Sequence, residues 1–94
     1  MYSIEDGIHC ERHGRFETVA QAMAELRRLA TITWDTAPNR APCKQWRTCG
    51  REWGIVAFDE RSGAAKRLAD VLHVSTAGTA WAEGFGQSID ATET

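Results

Sequence analysis

"FETVAQAMAELRRLA", residues 16–30, is the stretch from which the fold can be read. Thr18 followed three residues later by Gln21 makes a capping box, in which each side chain satisfies a backbone amide that the helix start leaves open. Val19, Ala22, Met23, Leu26, Leu29 and Ala30 recur at helical spacing and share one face, with Glu25, Arg27 and Arg28 off it. Arg27 and Arg28 also stand near the C-terminal end, where the helix dipole favours positive charge. This pattern predicts a helix over 18–31 whose apolar stripe needs a sheet to cover, with Phe16 packing just ahead of the cap.

Upstream, "YSIEDGIHC" alternates weakly around Asp6-Gly7, a preferred two-residue hairpin turn because glycine accepts positive φ. Strands are expected at 2–5 and 8–11, or else one strand followed by an irregular loop. Downstream, Pro38, Asn39 and Pro42 oppose regular structure, so Thr33 to Gly50 is a long loop. A connection of that length is functional, disordered, or held by its own side chains. Trp34, Trp46 and the cysteines argue against disorder.

"REWGIVAFDE" then reads as a central strand near 52–58, apolar on both faces. "DERSG" is a turn. "GAAKRLAD", residues 63–70, is a short helix, with Ala64, Leu68 and Val71 on one side, or an irregular approach to the next strand. A hairpin follows, with strands near 71–75 and 79–83 turning through Ala77-Gly78. The expected class is α+β, one principal helix on a small, mainly antiparallel sheet, in the order β-β-α-long loop-β-(short helix or turn)-β-β. Residues 1–86 form one domain and 87–94 a flexible tail.

The bulk composition excludes several classes. An apolar share of 43% and a charged share of 26% over 94 residues belong to a globular chain, not a disordered one. A net charge of -2 argues against a generally basic nucleic-acid binder. No apolar run has the length of a membrane span or follows a basic leader, and three cysteines without an export signal fit a reducing compartment. The expected location is therefore the cytoplasm, with no membrane partner.

Two clusters carry chemistry. Cys10 and His13 are a C-x2-H pair, and Cys43 and Cys49 a C-x5-C pair. Together they offer the four ligands of a tetrahedral structural zinc site, which would clip down the long loop. The second pair is wider than the usual knuckle. Two other readings fit the same residues: ordinary reduced cysteines, or a Cys43–Cys49 disulfide. His9 is set aside because, on strand alternation, it points away from Cys10. Cysteine catalysis would need a base and an orienting group that the spacing does not supply, so no catalytic residue is assigned.

The second cluster is "RAPCKQWRTCGREWG", residues 40–54. Arg40, Lys44, Arg47 and Arg51 are four positive side chains without an acid between them, and Trp46 stands in their midst. Such residues can meet phosphates and stack on an unpaired base, but they are also those enriched at protein–protein hot spots. The expected function is a non-enzymatic domain acting through the 40–51 loop on a protein partner, as a monomer or weak homodimer. The alternatives are a zinc-stabilised or nucleic-acid-binding module and a cysteine-dependent redox or catalytic protein.

Overall fold

The structure is a computed structural model that describes residues 1–44 and 48–82. Its elements run β1 (Tyr2–Asp6), β2 (Glu11–Phe16), α1 (Val19–Ala30), β3 (Arg51–Phe58), β4 (Ala65–Ser75) and β5 (Gly78–Trp81). The strands form one antiparallel sheet in the order β2-β1-β3-β4-β5, and α1 lies on one face of it. The described residues form an α+β fold with one helix.

The capping box is complete. Thr18 Oγ1 accepts from the Gln21 amide at 3.1 Å, while Gln21 Oε1 accepts from the amides of Glu17 and Thr18 at 2.8 and 3.3 Å. From that start, Ala22, Leu26 and Leu29 point into the core against Ile4, Trp53, Ile55, Leu72 and Val74. Met23 and Ala30 flank the stripe, half-buried. Val19, expected in the stripe, stays 40% exposed, so the packed face begins one turn into the helix.

Two strands differ from the sequence pattern, each for a local reason. The β1–β2 turn is not Asp6-Gly7. Asp6 ends β1 and pairs with Glu11, leaving Gly7 to Cys10 as a four-residue connection in which Cys10 takes φ 55°. Asp6 Oδ1 accepts from the Ile8 amide at 2.9 Å, so the side chain itself closes the start of the turn. The strand expected at 8–11 therefore begins only at Glu11.

Residues 63–70 contain no helix. β4 starts at Ala65 and pairs with β3 along its length, but the register shifts twice, leaving Leu68 and Val71 without direct partners. Each is the extra residue of a β-bulge. Those residues had supplied two points of the apparent helical period, because a bulge interrupts the period-2 alternation by which a strand is recognised. The final hairpin closes with Ser75 opposite Gly78, turning through Thr76 and Ala77. The expected tail at 87–94 lies outside the described residues.

Candidate metal centre

β1 and β3 are antiparallel neighbours, and their pairing decides which loops meet. Asp6, the last residue of β1, stands opposite Trp53, near the first residue of β3. The turn leaving β1 and the chain entering β3 therefore share one end of the sheet. Within that end, His9, Cys43 and Cys49 place one ligand atom each within 4.8 Å of one another. All three side chains are half-buried.

Asp6 is the buttress of this group. Its side chain is fully buried in the row that runs from Glu11 through Asp6 and Trp53 to Leu72. Oδ2 accepts from His9 Nδ1 at 2.5 Å and from Arg51 Nη1 at 3.0 Å, and Oδ1 accepts from the Glu52 amide at 3.1 Å as well as from Ile8. Burial by itself would raise the Asp6 carboxyl, but the hydrogen bonds from His9, the two amides and Arg51 outweigh it and hold the pKa below its ordinary value. Asp6 is thus a carboxylate, and its bond to His9 is the main cause that pushes the imidazole pKa upward.

The same bond orients His9. With Nδ1–H donated to Asp6, the neutral ring keeps its free lone pair on Nε2. Cys43 hydrogen-bonds to the His9 side chain and also to Cys49, so it stands between the other two members. That contact with Cys43, and then burial, raise the Cys49 thiol above its ordinary value. A soft cation placed among two thiols held against each other in this way would displace both protons.

The loop that delivers the two cysteines is anchored by polar side chains. Asn39 is buried, and its Nδ2 donates to the carbonyls of Leu29 and Ile32, each at 2.8 Å. Its Oδ1 accepts from Trp53 Nε1 at 3.0 Å. Arg51 Nη2 donates to the Arg40 carbonyl at 2.8 Å, and its guanidinium lies 4.9 Å from the Trp53 ring centre. Asn39 ties the loop to the helix end and the core, whereas Arg51 ties it to the Asp6 cluster.

The expected ligand set was Cys10, His13, Cys43 and Cys49. Cys43 and Cys49 do meet, but the histidine beside them is His9. Cys10 is exposed in the left-handed position of the turn and is outside the group. His13 pairs with Ile4 inside the sheet, where its Nε2 donates to Glu25 Oε2 of α1 at 2.6 Å and its ring lies 5.8 Å from that of Trp53. Strand alternation misplaced His9 because residues 7–10 are a turn, to which alternation does not apply. The usable signal was the Asp6-x-x-His9 spacing across that turn.

The expected interaction residues also separate. Arg40 and Lys44 are exposed. Arg51 is 4% exposed and directs its Nη1 and Nη2 donors to Asp6, Glu11 and the Arg40 carbonyl, so it anchors the loop from within and offers no contact surface. Trp46 and Arg47 lie outside the described residues. No known protein family, curated protein or solved structure matches the chain.

Proposed function

We propose that this protein is a small metal-binding domain in which zinc, held by His9 Nε2 and the sulfurs of Cys43 and Cys49, clips the 31–50 loop onto the sheet. The clipped loop then presents Arg40 and Lys44 to an acidic partner protein. The observation that carries this reading is the convergence of two thiols and one oriented imidazole from separate segments onto one spot.

Ligand chemistry selects the ion. Two thiolates and an imidazole suit zinc, whereas calcium and magnesium require oxygen donors. Ligand atoms around a tetrahedral zinc lie about 3.4–3.8 Å apart. The present group, within 4.8 Å, needs a contraction of no more than roughly 1.4 Å to reach that geometry. Asp6 supports it as a carboxylate that orients the ligating histidine, an arrangement that also raises imidazole basicity. A water or partner-derived group completes the fourth position. A partner protein is favoured over nucleic acid because Arg51 is spent internally, which leaves the described part of the loop with fewer outward cations than the sequence suggests.

The test is metal analysis of protein purified without a metal-binding tag. About one zinc per chain is expected, lost from His9→Ala and from Cys43→Ser but retained by Cys10→Ser. Reduced protein that binds no zinc in competition with a chromogenic chelator would reject the reading. Retention of zinc by the His9 and Cys43 variants would relocate the site.

A further inference from the structure

Cys43 and Cys49 are paired twice over. They are the two sulfurs of the metal group, and they are also the two thiols in contact with each other, while Cys10 stands outside on the turn. Both are half-exposed, within reach of a small solute, and both belong to a segment outside the sheet ladder. A disulfide requires the sulfurs to close to about 2.05 Å. Neither cysteine lies in a strand, so closing the sulfurs breaks no strand pair.

We propose that Cys43 and Cys49 form a thiol–disulfide switch that excludes metal when oxidised. The exclusion follows from the ligand count: a disulfide consumes both sulfurs and leaves His9 alone of the three, too few to retain an ion. The metal-releasing half of the switch rests on the zinc reading above, whereas the disulfide itself does not. The oxidant is a low-molecular-weight disulfide. One protein thiolate attacks a sulfur of that molecule, forming a mixed disulfide and expelling one small thiolate. The second protein thiolate attacks the protein-side sulfur of the mixed disulfide and expels the other. Two electrons pass from the protein sulfurs to the oxidant, whose two halves leave as thiols after taking up two protons. In the metal-free protein those protons come from the cysteines. In the zinc-loaded protein they come from solvent as the ion departs.

The experiment treats the full chain, metal-free and zinc-loaded, with oxidised glutathione, followed by alkylation of remaining thiols and peptide mass mapping. The expected product is a Cys43–Cys49 disulfide with Cys10 alkylated, reversed by dithiothreitol, with one zinc released per disulfide formed. Cys43→Ser and Cys49→Ser should each stop at a mixed disulfide with one glutathione, and Cys10→Ser should behave as wild type. A disulfide in the metal-free protein, together with no zinc uptake by the reduced form, would uphold the thiol pair and reject only the metal reading. Zinc uptake with both thiols still alkylatable after glutathione treatment would overturn the switch and leave the metal reading standing. A disulfide through Cys10, or a wild-type product that halts at the mixed disulfide, would also overturn it.

Discussion

Beneath α1 the chain is held mainly by apolar side chains, as Ala22, Leu26 and Leu29 meet Ile4, Ile55 and Val74. Among the described residues, the 31–50 connection meets that core through Ile32 and Trp34, and it buries Ala41. Farther along it depends on Asn39, Arg51 and the Asp6 cluster. Apolar contacts are non-directional and scale with area, so the body tolerates small adjustments. The loop anchors are directional, and deleting one partner leaves the other buried and unsatisfied. The two regions should therefore fail differently.

The largest effect is expected at the hinge between them. Asp6→Ala leaves the buried Arg51 with the half-exposed Glu11 carboxylate in place of two and takes the acceptor from the Ile8 and Glu52 amides, a loss of up to about 3–5 kcal/mol, measurable by urea or guanidinium unfolding. The same change should weaken metal binding by about 10–100-fold, because His9 loses its orienting acceptor. An Asp6→Ala protein as stable as wild type would mean that the cluster is not the joint described here. Replacing Asp6 and Arg51 together by apolar residues should recover much of the loss.

Leu26→Ala tests the body. Leu26 is fully buried, and its truncation should cost about 2–5 kcal/mol with a cavity left under the helix. The contrast lies in where the loss is felt. Hydrogen exchange should speed up throughout α1 and the sheet together, as expected when the global unfolding free energy falls. Protection lost only at residues 31–44 would contradict the division.

Asn39→Ala should give the opposite signature at a smaller cost, about 1–3 kcal/mol for the orphaned polar groups. The Ile32 carbonyl and the Trp53 indole lose the Asn39 side chain, while the Leu29 carbonyl keeps the Ile32 amide at 3.0 Å. Limited proteolysis should cut the connection while the helix amides stay protected. Unchanged cleavage would show that Ile32 and Trp34 suffice to hold it.

The smallest effect concerns acid. Glu25 is held at about pKa 2, first by Arg28, whose Nε and Nη2 donate at 2.6 and 2.8 Å, and then by His13, against an opposing burial effect. A depressed carboxylate contributes stability that is fully present above its ordinary pKa of 4.5 and is lost as pH falls towards about 2. Arg28 is exposed, so screening keeps the contribution small, on the order of 1 kcal/mol or less. Glu25→Gln should lower stability by that amount above about pH 5, and the two stability curves should converge as pH falls towards about 2. Asp6 titrates in both proteins, so the difference between them isolates Glu25.

The same division separates what was legible from what was not. The helix could be read because its cap and its stripe are relations within four residues, and β3 because a central strand is apolar on both faces. β4 was partly hidden by Leu68 and Val71, since nothing local marks where a partner strand will let a residue bulge. The metal group was harder still. Cys43 and Cys49 were legible as a pair, but Cys10 and His13 were chosen over His9 on a strand periodicity that a turn had suspended.

Sequence alone determined the helix, its buried face and the presence of a long anchored connection, because these follow from short-range spacing and side-chain polarity. Only the tertiary structure decided that His9 joins the two cysteines, that Asp6 orients it, and that Arg51 turns inward. Antiparallel pairing of β1 with β3 brings residues more than forty positions apart to one end of the sheet. No local pattern encodes that proximity; it exists only once the strands have paired.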